Sequence, residues 1–336
     1  MNARVPAAGS RAADALDALA RDLAQVTAIA REVDSAPLTT YRAGGPIALL
    51  VEVESTEALI AVSGRLASWT GEVVVVGRGS NLLVADAGFD GVAVRLGPSF
   101  EGIDSAGAHE ASQVRAGGAT ALPVLARQTA KLGLRGLEFY VGIPGSVGGA
   151  IRMNAGGHGA ETVDVLARAA ILTLGESQIN ERTPDELGLT FRHSNLGDRD
   201  VVVAATFRAE RGEAGAARAE IDEIVRWRRA NQPGGQNCGS VFVNPPGDSA
   251  GRLIDAAGLK GTRIGGAIVS PKHANFVQAD AGTRAADVVA LITHVRDVVH
   301  ETFGVVLRPE LRLVGFAPHV LTGAGDPPDG PPGVEA

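Results

Sequence analysis

The stretch EFYVGIPGSVGGAIRMNAGGHG, residues 138–159, constrains this chain more than any other. From Gly142 to Gly159 it holds seven glycines, one proline and almost no bulky side chains. Such a segment buries little apolar surface and loses much backbone entropy on folding. A chain that keeps it needs tight turns with positive φ, or a backbone that another group approaches closely. Phosphates meet both conditions, because amide N–H groups cradle them. A plain surface loop has the same composition, so the other motifs must decide.

At 336 residues the chain is long enough for two or three domains. Its net charge of −7 argues against a nucleic-acid or membrane-surface partner, while leaving room for a local basic site facing a small anion. The single cysteine, Cys238, excludes an internal disulfide framework. No apolar run approaches the ~20 residues that span a bilayer. The N-terminal segment MNARVPAAGSRAADALDALA lacks the continuous apolar core of a signal peptide. A cytoplasmic protein is expected. The seven histidines show no paired metal spacing and one cysteine cannot build a thiolate site, so no metal is expected.

Helical spacing of Ala and Leu predicts a helix over 10–31. Strands are expected in PIALLVEVES, GEVVVVGRGSN, GVAVRL and SQVRAGGAT, then a helix in ALPVLARQTAKLGL ending near Gly133. Strands return in AAILTL and VVVAATFRAE. From about Gly212 the composition changes: EAGAARAEIDEIVRWRRA is a charged amphipathic helix, followed by a helix in AGRLIDAAGL, a strand near GAIVS and a helix over 284–304. The Pro- and Gly-rich end, 317–336, is expected to be a disordered tail. This order suggests two α+β lobes followed by a smaller α/β lobe.

In VVVVGRGSNLLV a strand runs into Gly77-x-Gly79, which invites a dinucleotide-fold reading. The third glycine would fall at Leu82, and NLLVADAGFDGVAVRL reads as more strand and turn rather than helix. The dinucleotide fingerprint fails on both counts. Taken together, YRAGGP (41–46), the GRGSN turn and residues 138–159 resemble the flavin-binding lobes of the UDP-N-acetylenolpyruvoylglucosamine reductase family. The resemblance continues in family order through LTFRHSNL (189–196), CGSVFVNP (238–245), AGRLIDAAGLKGTRIGGAIVSPKHANFV (250–277) and LRPELRLVG (307–315). Only 47 residues separate Arg192 from Ser240, which resembles the shorter, type II branch.

The resemblance implies an α+β architecture: a two-lobed FAD-binding fold of the vanillyl-alcohol-oxidase (PCMH) type plus a third, smaller α/β substrate-binding domain. The corresponding division is a helical extension over 1–33, an FAD-binding domain over 34–211 (lobes 34–100 and 101–211, with 304–316 returning to it) and a UDP-sugar domain over 212–303. It also implies an activity, the reduction of UDP-N-acetylglucosamine enolpyruvate by NADPH through FAD, in a monomer. Arg192 and Glu310 would flank the substrate and stabilise its enolic intermediate, and Ser240 would donate the proton. A guanidinium fork suits a carboxylate; a glutamate helps an anion only as a proton donor or through a polarised partner, which calls for a raised pKa. Contacts to FAD are expected from Gly77, Gly79, Ser80, Asn81, Gly142, Ile143, Pro144, Gly145, Ser146, Gly148 and Gly149, and from Arg42. Candidates for UDP-sugar contacts are Asn244, Lys272, His273 and Asn275.

Asn231 departs from the family, in which a lysine before the QP pair serves the diphosphate; Arg228 or Arg229 lies one helical step away. Cys238 reads as a small packing residue. No histidine or cysteine lies in Gly77–Asn81 or Gly142–Gly149, so FAD is expected to be non-covalent. Two other readings compete: another FAD oxidase or dehydrogenase on this fold, which has no need of the third lobe, and a nucleotide-sugar sensor, which has no need of Arg192, Ser240 and Glu310 together.

Overall fold

The computed structural model describes residues 8–105, 112–317 and 320; the tail expected to be disordered lies outside the described residues except at 317 and 320. Helix α1 (Ala8–Leu23) stops eight residues before the expected end at 31, and Ala28–Asp34 forms strand β1 instead. Pairing overrides the local helical pattern. β1 lies antiparallel to β2 (Pro46–Val53), with Ile29 opposite Val51 and Val33 opposite Ile47.

The first lobe continues through α2 (Thr56–Arg65), whose N-cap Ser55 accepts from the Ala58 N–H at 3.1 Å. Then come β3 (Val73–Val75), β4 (Leu82–Val84) and β5 (Phe89–Leu96). Its sheet has the order β1-β2-β5-β3, with β2 and β3 both parallel to β5. Leu16, Leu19, Ala20 and Leu23 of α1 belong to the core of this lobe.

The second lobe comprises β6 (Ile103–Asp104), β7 (Gln113–Gly117), α3 (Leu122–Lys131) and β8 (Leu134–Arg135). After a 3-10 turn (Glu138–Gly142) follow α4 (Val147–Arg152), the hairpin strands β9 (Gly156–Gly157) and β10 (Ala160–Glu161), and the single turn α5 (Thr162–Val165). Strands β11 (Leu166–Thr173), β12 (Ile179–Arg182) and β13 (Asp200–Arg208) complete an antiparallel sheet of order β12-β11-β13-β7-β6, and β14 (Glu210–Arg211) pairs with β8. This sheet is covered on both faces. Val201 and Val203 face the core of the first lobe, while Val202, Ala205 and Phe207 pack beneath α3 and α4. Double burial explains why VVVAATF is a continuous apolar run.

Helix α6 (Ala214–Asn231) buries Ala217, Ile221 and Ile224, four and then three residues apart, in that second core. By packing it therefore sits with the second lobe, although the sequence placed the start of the third at 212. The third lobe is an antiparallel sheet of order β15-β18-β17-β16, from β15 (Gln236–Asn237), β16 (Arg263–Ile264), β17 (Ala267–Val269) and β18 (Val277–Ala279). Helices α7 (Ala250–Ala256) and α8 (Ala285–Phe303) complete its core, which also takes in Tyr41 and Leu83 of the first lobe. Finally β19 (Arg312–Val314) returns to pair in parallel with β4.

Candidate active site

The glycine-rich stretch is stitched to residues 118–122: the N–H groups of Val147 and Gly148 donate to the Thr120 and Gly118 carbonyls at 2.9 Å, and that of Leu122 to Gly145 at 3.0 Å. Opposite it stands the Gly77–Asn81 turn. Gly79 has φ +61 and touches Leu38, where a Cβ would fall 1.8 Å from the carbonyl oxygen; no other residue fits. Among the described residues, no hydrogen bond uses the backbone N–H of Gly77, Arg78, Gly79 or Ser80. Four consecutive donors without a protein acceptor, facing a glycine wall, suit a pyrophosphate.

Between these walls lies an open cleft, about 1260 Å³ when the solvent space at its mouth is counted. Gly77, Gly79, Ser80 and Asn81 line it on one side, and Gly142, Ile143, Pro144, Gly145, Ser146 and Gly149 on the other. Gly148 faces an adjoining hollow, which shares Gly77, Ser146 and Gly149 with the cleft. The residues present therefore fit an elongated cofactor such as FAD, with a phosphate cradle and a flat, side-chain-poor wall. Arg42 lines neither space; it is exposed, with its N–H donating to Thr39, and its φ of +51 marks a left-handed turn.

The three catalytic candidates do converge. Arg192, Ser240 and Glu310 all line the cleft. The segment after Gly239 pairs with the chain before β19: Phe242 bridges Pro309, and the Glu310 N–H donates to the Val241 carbonyl at 2.8 Å. That pairing sets Ser240 and Glu310 on neighbouring segments. The Asn81 amide donates to the Glu310 carbonyl at 2.8 Å, which ties the phosphate-side turn to the same strand.

Arg192 occupies a left-handed conformation (φ +57), and its guanidinium carbon sits 4.7 Å from the centre of the exposed Phe191 ring. Nη1 donates to Glu161 Oε1 at 3.0 Å and Nη2 to the Gly156 carbonyl at 3.1 Å, while Nε stands 3.6 Å from Glu310 Oε2. Burial pushes the Glu310 carboxyl above the usual range, against the pull of Arg192 and Arg308. A carboxyl so raised is able to act as a proton donor. Burial also pushes the Cys238 thiol up to about 12, and its Sγ–H donates to the Tyr41 hydroxyl at 3.4 Å. Cys238 is a protonated wall residue, not a nucleophile.

The third-lobe candidates do not reach the cleft. Both ends of the buried Asn275 amide are committed to Phe242, Oδ1 accepting from its N–H at 3.0 Å and Nδ2 donating to its carbonyl at 2.8 Å. His273 Nδ1 accepts from the Asn275 N–H, and its ring packs edge-on against Phe276; burial lowers its pKa. Asn244 Oδ1 accepts from the first N–H of α7, and Lys272 Nζ donates to the Arg229 carbonyl. Asn231 turns back to the Trp227 carbonyl. Arg228 and Gln232, one turn apart at the end of α6, line the cleft instead. Arg228 is lowered in pKa by burial and shows no ion-pair partner among the described residues, and Gln232 Oε1 is buried with no hydrogen-bond partner.

Two further arginines were missed from sequence. Arg152 and Arg312 both line the cleft and share Asp198, their Nη2 atoms 2.9 and 2.7 Å from its Oδ1. Arg312 lies two residues after Glu310, on the same side of an extended segment, and that spacing was a usable signal. Among the described residues no group of three or more His, Cys, Asp or Glu side chains could hold a metal ion, and no helix is long and apolar enough to cross a membrane.

Residues 231–314 match the family described as UDP-N-acetylenolpyruvoylglucosamine reductase, C-terminal domain, and residues 47–179 match an FAD binding domain. The chain is 42% identical over 279 residues to the UDP-N-acetylenolpyruvoylglucosamine reductase of Rubrobacter xylanophilus, covering 82% of this chain and 92% of that one. It is also 42% identical over 286 residues to UDP-N-acetylenolpyruvoylglucosamine reductase 2 of Symbiobacterium thermophilum, covering 83% and 90%. Among solved structures, the UDP-N-acetylenolpyruvylglucosamine reductase of Thermus caldophilus is similar with a TM-score of 0.73 and 34% identity, over 86% of this chain and 98% of that one.

Proposed function

The chain belongs to the UDP-N-acetylenolpyruvoylglucosamine reductase family, and from that premise we propose that Arg192, Ser240 and Glu310 carry its chemistry within the cleft. The activity is the NADPH-dependent reduction of UDP-N-acetylglucosamine enolpyruvate to UDP-N-acetylmuramate, an FAD-dependent step of peptidoglycan precursor synthesis. The observation that supports the residue assignment is the meeting of all three side chains in the space bounded by both glycine motifs.

Bound FAD supplies the hydride relay, from NADPH to the methylene carbon of the enolpyruvyl group. Gly77, Gly79, Ser80 and Asn81 would hold its phosphate side, and Gly142–Ser146 with Gly149 its flat side. Negative charge then builds on the neighbouring carbon and its carboxylate. Arg192 meets that carboxylate with its remaining guanidinium N–H donors, Glu310 keeps its proton and donates a hydrogen bond to the developing enolate, and Ser240 delivers the one proton to carbon and regains one from solvent. The methylene becomes a methyl and the ether carbon gains one hydrogen, so one hydride and one proton account for the product. Arg228, a cation without a carboxylate partner, is the best placed group for the substrate diphosphate, with Gln232 Oε1 as an acceptor beside it. We further propose that the protein works as a cytoplasmic monomer, without nucleic-acid or membrane partners, in keeping with its net charge of −7.

The direct test is oxidation of NADPH that requires the enolpyruvyl sugar nucleotide, catalysed by a yellow purified protein. NADPH oxidation indifferent to that substrate would return the reading to a general flavin oxidase. Arg192→Lys keeps the charge but loses the fork, and turnover should fall about 10- to 100-fold, as for a lost charge-assisted hydrogen bond. Unchanged turnover would take Arg192 out of the site. Because protonated Glu310 is the working form and its pKa is raised, substrate-dependent flavin reoxidation should be fast at low pH and decline as pH rises through that pKa. Glu310→Gln should abolish this decline.

A further inference from the structure

Arg192 lies between two carboxylates, and only one of them faces the reacting atoms. Glu161 sits at the end of β10, where Oε1 accepts from Arg192 Nη1 at 3.0 Å and Oε2 accepts from Asn154 Nδ2 at 2.9 Å. Asn154 is fully buried and itself fixed: Nδ2 also donates to the Thr190 carbonyl, and Oδ1 accepts from the Val163 N–H, both at 2.9 Å. The terminal nitrogens of Arg192 are thus anchored on Glu161 and the Gly156 carbonyl, while its Nε edge is left toward Glu310 at 3.6 Å, too far for a hydrogen bond.

We propose that Glu161 is a positioning residue for the reduction: it fixes the Arg192 fork and balances its charge, so that Glu310 keeps its proton beside the substrate. The inference rests on the assignment of Glu310 as an acid. Its logic is electrostatic. A guanidinium facing Glu310 alone would favour the carboxylate, because an opposite charge at this range lowers a carboxyl pKa. With Glu161 present, one cation serves two carboxylates, and full ionisation of both would leave excess negative charge in a half-closed cleft. The proton then belongs on the more buried member. The Glu310 side chain is 15% exposed and that of Glu161 28%.

The other groups around Glu310 do not reverse this balance. Arg308 adds a pull weaker than that of Arg192, the Cys238 thiol is neutral, and Arg312 on the same extended segment is engaged with Asp198. Without Glu161 the full charge of Arg192 would fall on Glu310. The acid would ionise at lower pH.

The test uses the FAD-bound enzyme and two readouts. The first is the infrared carbonyl band of protonated Glu310, assigned by its disappearance in Glu310→Gln and titrated against pH. The second is the pH profile of substrate-dependent flavin reoxidation. Glu161→Gln should move the midpoint of both to lower pH by about one unit, with reoxidation at neutral pH down about tenfold. Glu161→Asp keeps the charge and should leave the midpoint in place even if turnover falls. A midpoint unmoved in Glu161→Gln, or moved equally in Glu161→Asp, would overturn the proposal. Should the glutamine variant fail to hold FAD, Glu161→Ala removes the same charge and is read in its place, and a midpoint at the parental pH there would overturn the proposal. A parent profile whose alkaline decline survives Glu310→Gln would instead sink the acid assignment, and this inference with it.

Discussion

Ser240→Ala should reduce its bound FAD with NADPH at nearly the parental rate, yet be reoxidised by substrate ~10²–10⁴-fold more slowly, the range of a lost general acid. The two halves separate because NADPH needs only to present its hydride to the flavin. No proton at the substrate carbon takes part. In the second half, charge builds beside the ether oxygen and must be quenched. Ser240 lies in the cleft wall, on the segment paired with that of Glu310. Ser240→Cys retains a proton of lower pKa, about 8.5 unperturbed, and should recover part of the rate. Rapid-mixing traces of flavin colour report both halves in one preparation. If Ser240→Ala reoxidises as fast as the parent, the donor is Glu310 and Ser240 is only a turn residue.

Gly149→Val should purify with little or no FAD, its affinity lowered by about 100-fold or more, while the polypeptide stays folded. Gly149 borders both the cleft and the adjoining hollow, and a Cβ added there meets only Ser146 Oγ, at an ordinary 3.6 Å. The new methyls therefore project into space meant for a ligand. The neighbouring Gly148 is a poorer probe. A Cβ on it would press on the Gly118 carbonyl at 3.2 Å and Val202 Cβ at 3.4 Å, so flavin loss in Gly148→Val would mix cofactor overlap with strain in the sheet beneath. Full occupancy in Gly149→Val, read from the ratio of flavin to protein absorbance, would remove the 142–149 wall from the cofactor site.

The contrast between these two glycines shows how far the sequence could be read. Glycine density announced that something comes close to the backbone, but not whether that something is a ligand or the protein itself. Strongly patterned elements were legible: α3, α6, α8, β2 and β13 fall where their periodicity puts them. The end of the first helix was not, because Ala28–Asp34 carries a pattern that either element tolerates and only the partner strand β2 decides. Arg192, Ser240 and Glu310, each embedded in a longer motif, do meet in one cleft. Isolated polar side chains such as Asn275 and Lys272 bond neighbouring carbonyls instead of lining the cleft, a difference that composition does not reveal. Glu161 and Asp198 pair with arginines far away in the chain, a relation between distant positions that no local window contains.

The pairing of β19 with β4 has a consequence for how the enzyme comes into being. Leu82 and its partner Arg312 lie 230 residues apart (312 − 82), and Glu310 stands just before the returning strand. A ribosome releases the N-terminal regions first, and domains fold as units while synthesis proceeds. A nascent chain that has reached residue 300 already carries both glycine walls, Arg192, Glu161 and Ser240, but neither Glu310 nor the strand that closes on β4. Turnover therefore waits for the last strand to dock, because only then do Glu310 and the hydrogen bond from the Asn81 amide to its carbonyl complete the cleft.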